Sequence, residues 1–153
     1  MVNKIMSNLY IGDHTDANDI ESLNKNNIKA IVNCASLICK DQFKGNIEYL
    51  NLHINDSINT DILSTFKNVF EFIGYHRAYG NGVLVHCFAG KSRSSTIVIG
   101  YLMDKYKISF SESYQWVLKR RPIIKPNQGF IKQLLLFENI NKVKKEYMHM
   151  KFE

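Results

Sequence analysis

The hydrophobic and polar positions of the chain divide it into two kinds of segment. Short apolar or β-branched runs have the length of buried strands, and longer segments repeat their apolar residues at helical spacing. The short runs predict strands at residues 8–12, 30–34, 49–52 and 83–85. The longer segments predict helices at residues 16–26, 61–79, 95–107, 109–120 and 127–145. Strands therefore alternate with helices, and helices close the chain.

This alternation predicts an α/β fold. We expect a central, mostly parallel or mixed β-sheet of about five strands, flanked by helices. The helix at residues 95–107 is apolar on nearly every side, which is typical of a helix buried in the middle of a domain. At 153 residues, without a repeat, a linker or a low-complexity segment, residues 1–153 are predicted to form one domain.

Composition narrows the class of protein but not its function. The chain carries 20 Lys and Arg against 14 Asp and Glu, a formal net charge of +6 that favours anionic partners. Phosphate groups, nucleic acids and membrane surfaces are all negatively charged, so the net charge does not distinguish among them. The 3 cysteines form no CxxC pair, and no apolar run is long enough to span a membrane. We therefore expect no metal site, no membrane insertion and a reducing compartment, the cytoplasm or the nucleus.

One segment, residues 83–94, carries candidate chemistry. A buried strand leads into a loop of mostly small residues, and the loop opens the buried helix. The first N–H groups of a helix lack internal partners and carry the positive end of the helix dipole, so they attract an anion. Gly90 permits a backbone conformation that other residues avoid, which lets successive amides curl around phosphate oxygens. The loop is predicted to be an anion cradle.

Two side chains of this loop supply reactive groups. Cys87 lies at the mouth, where the positive field favours the thiolate over the thiol. Arg93 is always charged, and its planar fork binds two phosphate oxygens at once. A thiolate beside a bound phosphate can attack phosphorus in line and form a phosphocysteine without a metal or another cofactor. The alternative is a buried structural cysteine, against which the string from His86 through Cys87 and Arg93 to Ser94 argues.

Residues 86–94, His-Cys-Phe-Ala-Gly-Lys-Ser-Arg-Ser, resemble the signature loop of the cysteine-dependent protein phosphatases. Two further stretches narrow the resemblance to the dual-specificity branch: residues 9–33 resemble the opening of that domain, and residues 121–134 resemble its closing helix. The likeness covers residues 7–141. It implies a small phosphatase consisting of the catalytic domain alone, with phosphotyrosine, phosphoserine and phosphothreonine proteins as its substrates.

The resemblance also implies roles for the residues of the loop. Cys87 would be the nucleophile, and Arg93 would bind phosphate and stabilise the transition state. Ser94 would donate a hydrogen bond to the sulfur and ease its departure, and His86 would orient the loop and tune the thiolate. The phosphate oxygens would bind the main-chain amides of Phe88, Ala89, Gly90, Lys91 and Ser92.

The reaction also needs a general acid, because a serine, threonine or tyrosine oxygen leaves poorly unless it is protonated. Asp56 stands where the family carries this aspartate, and its alternative is a turn residue. Asp61 is the competitor, and we predict that it caps the helix that follows. Asn127 matches the family's Pro-Asn-x-Gly-Phe motif, in which the asparagine braces the loops of the active site. It can equally cap the helix ahead of Phe130.

Three weaker signals remain. Lys91 places a cation where many family members have an uncharged residue, and a similar lysine occurs in phosphoinositide phosphatases; its alternative is a solvent-exposed side chain. Cys34 could form a protective disulfide with Cys87, as in some relatives, or be an inert core thiol. The remaining histidines are predicted to be surface residues: His14, His53, His76 and His149.

The resulting hypothesis is a dual-specificity protein phosphatase. A phosphoinositide or RNA-end phosphatase with the same chemistry is the first alternative, supported by Lys91 alone, and the RNA version lacks an aromatic stacking stripe. A phosphopeptide-binding module without turnover is the second, and the intact set of Cys87, Arg93, Asp56 and Ser94 argues against it. We expect no nucleic-acid partner, and the sequence indicates no particular oligomeric state.

Overall fold

A computed structural model describes residues 1–151 and contains a five-stranded sheet. Its strands are β1 (Asn3–Met6), β2 (Leu9–Gly12), β3 (Ile28–Asn33), β4 (Glu48–Asn51) and β5 (Gly82–His86). Across the sheet the order is β1-β2-β5-β3-β4; β1 is antiparallel to β2, and the other neighbours are parallel. The predicted mixed, mostly parallel sheet is confirmed. β5 lies in its middle, so the loop that follows β5 leaves the centre of the carboxyl edge.

Six α-helices surround the sheet in the described part of the chain. They are α1 (His14–Ala17), α2 (Ile20–Lys25), α3 (Phe66–Ala78), α4 (Arg93–Tyr106), α5 (Phe110–Arg120) and α6 (Gln128–Lys151), with a 3-10 turn (Leu63–Thr65) leading into α3. Within residues 1–151, no helix is both long and apolar enough to cross a membrane.

The segment predicted as one helix at residues 16–26 forms two short helices instead. Asp13 caps α1 by accepting a 2.9 Å hydrogen bond from Asp16 N, and Asp19 caps α2 by accepting a 3.3 Å bond from Ser22 N. Aspartate side chains that bond nearby main-chain N–H groups start helices rather than continue them. Two such residues six positions apart therefore divide the segment.

The two faces of the sheet carry separate cores. On β5, Val83 and Val85 point into the larger core, and Leu84 points into the smaller one. Helix α4 belongs to the larger core, and its residues 94–103 are all buried. The prediction that this helix is buried in the middle of the fold is confirmed. A buried strand and a helix buried over residues 94–103 hold the loop between them in a fixed position.

The structure corrects the prediction for His76, which is buried rather than exposed. His76 continues the buried stripe of α3 that includes Val69 and Ile73, at helical spacing. Its Nε2 lies 2.9 Å from Glu48 Oε2, and its Nδ1 lies 3.1 Å from Asn81 Nδ2. The imidazole thus joins the end of α3 to the edge strand β4.

Candidate active site

The segment between β5 and α4, residues 87–92, is called the signature loop below. Cys87 begins it and is only 2% exposed. Its Sγ accepts a 3.2 Å hydrogen bond from Gly90 N and lies 3.2 Å from Ser94 Oγ. The sulfur therefore faces the inside of the loop, where two donors can stabilise a thiolate.

Three carbonyl oxygens of the signature loop are held from outside by donors from two other parts of the chain, His14 and the segment 121–125. Each bond fixes the direction of one peptide plane. The donors are His14 N (3.2 Å) and His14 Nδ1 (2.9 Å) to Phe88 O, Arg121 Nε (2.8 Å) to Gly90 O, and Lys125 N (2.8 Å) to Lys91 O.

Outward carbonyls turn the neighbouring amides inward. The described chain has no cis peptide bond, and in a trans peptide the N–H of the next residue points away from the carbonyl oxygen. The amides that follow the three anchored carbonyls belong to Ala89, Lys91 and Ser92. These N–H groups consequently face the interior of the loop, beside Cys87, as an anion cradle requires.

Gly90 is needed for this geometry. Its φ is +67°, a left-handed conformation that is strained for other residues, and an added Cβ would lie 2.7 Å from Gly12 O. The added Cβ would also collide with the guanidinium of Arg121. The glycine thus allows both the turn and the close approach of Arg121 to the loop.

The start of α4 also faces the loop. Ser92, the residue before the helix, makes no side-chain capping bond to it. Its hydroxyl instead donates a 2.7 Å hydrogen bond to Asp56 Oδ1. The first-turn amides of α4 are therefore free of a side-chain cap and, with the helix dipole, favour an anion.

Arg93 is the first residue of α4. Its Nη1 donates a 3.2 Å hydrogen bond to Ile54 O, while its Nε is buried without a partner among the described residues. An unpaired buried donor is costly unless another group accepts its hydrogen bond. An oxyanion in the signature loop would supply that acceptor.

Asp56 connects the loop after β4 to the signature loop. Besides the bond from Ser92, its Oδ1 accepts a 2.9 Å bond from Asn127 Nδ2. Both bonds use the same carboxylate oxygen, so Asp56 links the signature loop to the segment before α6. Asp61, the competitor, accepts a 3.1 Å bond from Ser64 N at the start of the 3-10 turn, so its geometry is that of a cap.

Asn127 makes both of the contacts that its sequence context predicts. Its side chain reaches Asp56, and its main-chain N donates a 3.0 Å bond to Ser92 Oγ. Its Oδ1 also accepts a 2.9 Å bond from Phe130 N at the start of α6. One residue therefore caps a helix and braces the two loops.

His86 and Cys34 lie behind the loop. His86 is buried, and burial lowers the pKa of its imidazole, which favours the neutral form at neutral pH. Its Nδ1 lies 3.3 Å from Cys87 O, and its carbonyl accepts a 2.8 Å bond from Cys34 N. Burial raises the pKa of the Cys34 thiol. Nearby Cys87 also raises it, and the positive charge of Arg93 lowers it by a smaller amount. Both cysteines are free thiols.

Sequence reasoning missed three contributors to this site. The closing motif contains Arg121 but indicates no contact for it, the loop pattern indicates a role for the amide of Ser92 and none for its hydroxyl, and the sequence around His14 indicates only a surface residue. Each acts through a contact with a distant segment, for which the local sequence carries no signal. Lys91 is exposed to solvent. Across residues 1–151, no group of three or more His, Cys, Asp or Glu side chains is placed to hold a metal ion.

A mostly parallel sheet that delivers a buried cysteine into an amide-lined loop, closed by an arginine at a helix start, defines the class of cysteine-dependent phosphatase folds. Residues 9–140 match the family model described as dual specificity phosphatase, catalytic domain. The chain belongs to this family.

Curated relatives agree with this assignment. A probable dual specificity protein phosphatase of Dictyostelium discoideum is 44% identical over 141 residues, covering 86% of this chain and 61% of the relative. Mouse dual specificity protein phosphatase 1 is 38% identical over 136 residues, covering 89% of this chain and 37% of the relative. Drosophila melanogaster protein phosphatase Slingshot is 38% identical over 131 residues, covering 86% of this chain and 12% of the relative. The chain thus spans less than two thirds of each relative.

Solved structures are similar over almost their full length. The human tyrosine phosphatase-like serine/threonine/tyrosine-interacting protein superimposes with a TM-score of 0.87 at 32% identity, covering 91% of this chain and 96% of that one. DUSP15 superimposes with a TM-score of 0.86 at 31% identity, covering 95% of each chain.

Proposed function

We propose that the protein is a dual-specificity phosphatase that hydrolyses phosphotyrosine, phosphoserine and phosphothreonine in proteins through a phosphocysteine. The observation that carries the proposal is the position of the Cys87 sulfur. It accepts a hydrogen bond from Gly90 N, in a loop followed directly by an arginine whose buried Nε has no partner among residues 1–151. We also expect the protein in the cytoplasm or the nucleus.

In the first step, the Cys87 thiolate attacks the phosphorus of the bound phosphate. The S–P bond forms as the bond from phosphorus to the substrate oxygen breaks, and Arg93 and the loop amides stabilise the charge on the phosphoryl oxygens. Asp56 donates its proton to the leaving oxygen, so that the product departs as an alcohol or a phenol. The products of this step are the dephosphorylated protein and phosphocysteine.

In the second step, water attacks the phosphocysteine. Asp56, now a carboxylate, accepts a proton from that water, the S–P bond breaks, and inorganic phosphate is released. The hydroxyl of Ser94, 3.2 Å from the sulfur, stabilises the thiolate as it leaves. Every group in this cycle belongs to the chain, so the reaction needs no metal ion.

The Asp56 role predicts a dependence on the leaving group. Asp56→Ala should lower kcat/KM on a phosphotyrosine peptide by on the order of 100- to 1,000-fold, because the acid is lost. The loss on p-nitrophenyl phosphate should be much smaller, since p-nitrophenolate leaves without protonation. Steady-state kinetics on both substrates, with EDTA present and vanadate as an inhibitor, measure the difference.

Asp61→Ala is the matched control, because it removes a nearby aspartate that only caps a turn. It should stay within about twofold of the wild type on both substrates. Equal losses on the two substrates in Asp56→Ala would contradict the general-acid role. A wild type that binds the phosphopeptide but turns over neither substrate would instead favour a phosphopeptide-binding module.

Arg121 predicts a second result, because it positions the loop without touching substrate. It is buried, and it joins Gly90 O to Asn3 Oδ1, 2.7 Å from its Nη1. Arg121→Lys keeps the charge but cannot span both acceptors. We expect vanadate to inhibit this variant about tenfold less tightly, as for the loss of one charge-assisted hydrogen bond.

The control for Arg121→Lys separates loop geometry from stability. Asn3→Ala removes the other end of the same contact and should lower the melting temperature while vanadate affinity changes little. Both variants are assayed well below their melting temperatures. If Arg121→Lys lowers only the melting temperature, Arg121 is a structural residue and the positioning role is wrong.

A further inference from the structure

His14 and Phe88 form a stacked pair of rings at the signature loop. Their ring centroids are 4.3 Å apart, and the ring planes differ by 3°. His14 is the first residue of α1, two positions after the end of β2, and Phe88 directly follows Cys87 in the loop. The pair therefore joins two neighbouring segments at the carboxyl edge of the sheet.

The position of His14 is fixed by two hydrogen bonds to Phe88 O, from its main-chain N (3.2 Å) and its Nδ1 (2.9 Å). A carbonyl oxygen only accepts hydrogen bonds, so Nδ1 carries a proton. Rotation of the imidazole about its Cβ–Cγ bond would break this hydrogen bond. Phe88 is therefore backed by a ring that is itself held in place.

Phe88 remains partly open to solvent although His14 stacks on its ring. The Phe88 side chain is 49% exposed, whereas Cys87 is only 2% exposed. Phe88 directly follows Cys87, so an exposed aromatic residue lies one position from the buried sulfur. Phe88 is the only aromatic residue in the signature loop.

We infer that the His14–Phe88 pair is a specificity wall that selects aryl phosphates, and so favours phosphotyrosine over phosphothreonine and phosphoserine. The inference rests on the proposed function, because it concerns the substrate class of the same site. A phosphotyrosine ring carries its phosphate directly, so a Phe88 ring that lines the entrance to the sulfur would contact it. Parallel or edge contact between two such rings is favourable. Phosphothreonine and phosphoserine offer only a short aliphatic link.

Two peptides test the wall. They have the same sequence except that one carries phosphotyrosine and the other carries phosphothreonine at the same position. The readout is the ratio of kcat/KM for the two peptides. Phe88→Leu keeps the apolar bulk but loses the ring, and should lower the preference for phosphotyrosine about three- to tenfold. His14→Ala should lower it in the same direction, and His14→Phe, which can still stack, should preserve it.

Tyr147→Leu is the control, since it removes an exposed aromatic residue of α6, outside the signature loop. It should leave the ratio unchanged. If Phe88→Leu and His14→Ala lower both kcat/KM values equally, the pair only supports the loop and the wall does not exist.

Binding measurements keep this test separate from the test of catalysis. In a Cys87→Ser background, fluorescence anisotropy gives Kd for each labelled peptide without turnover. Phe88→Leu should weaken binding of the phosphotyrosine peptide about three- to tenfold more than that of the phosphothreonine peptide. This result would support the wall even if the wild type proved inactive. Equal weakening of the two peptides would overturn it even if the wild type proved an efficient phosphatase.

Discussion

Replacing Cys87 with serine is expected to abolish turnover while phosphopeptide binding persists. A serine hydroxyl is almost entirely protonated at neutral pH, so the variant lacks the anionic nucleophile that begins the reaction. We expect a loss on the order of 10,000-fold or more in kcat on p-nitrophenyl phosphate. The inward-facing amides and Arg93 remain, so the anion cradle is intact and a phosphotyrosine peptide should still bind.

Mass spectrometry supplies the direct test of Cys87. Wild-type protein quenched during turnover should carry one phosphoryl group on the peptide that contains Cys87, and Cys87→Ser should carry none. Cys39→Ser is the matched control, because Cys39 lies outside the signature loop, and it should keep its activity. A phosphoryl group found on another residue, or a Cys87→Ser variant with substantial turnover, would rule out the proposed nucleophile.

Arg93→Lys is expected to have the second-largest effect. Lysine keeps the positive charge but has no planar fork, so it cannot bind two phosphoryl oxygens while one nitrogen contacts Ile54 O. A fixed cationic donor at a transferred phosphoryl group is worth several orders of magnitude in rate, and we expect kcat/KM to fall on the order of 1,000-fold. Kinetics on p-nitrophenyl phosphate measure it, with circular dichroism confirming the fold.

Arg77→Lys controls for the general cost of replacing an arginine. Arg77 lies on α3, where it bonds Ser7 O and the Tyr101 hydroxyl, outside the signature loop. It should leave kcat/KM nearly unchanged. A loss of less than tenfold in Arg93→Lys would mean that charge alone suffices, and the bidentate role of Arg93 would be wrong.

The centre of the site could be predicted from sequence because it is contiguous. Strand β5, the signature loop and α4 follow one another within residues 82–106, and each has a strong local pattern. Cysteine, glycine and arginine at this spacing, between a buried strand and a buried helix, indicate a phosphate-binding loop more readily than any other structure. Asp56 lies elsewhere, and its prediction depended on its place in the family pattern rather than on local chemistry.

The outer contacts of the loop, meaning the hydrogen bonds from His14, Arg121 and Lys125 to its carbonyl oxygens, could not be predicted in this way. Arg121 reaches Gly90 across 31 positions of the sequence, and His14 reaches Phe88 across 74. Nothing in the local pattern of either residue indicates its partner. The edge strand β1 was missed for a similar reason. Of its residues only Ile5 is buried, so the alternation that predicts a strand is too short.

The outer contacts also differ in how they constrain evolution. His14 and Lys125 hold carbonyl oxygens of the loop through main-chain N–H groups, which every residue except proline provides. Substitution at either position can therefore alter the side chains beside the loop while a main-chain support remains. Arg121 is different, because it holds Gly90 through its side chain. A lineage with this fold can thus diversify its substrates at His14 and Lys125 without rebuilding its chemistry, whereas Arg121 leaves little freedom.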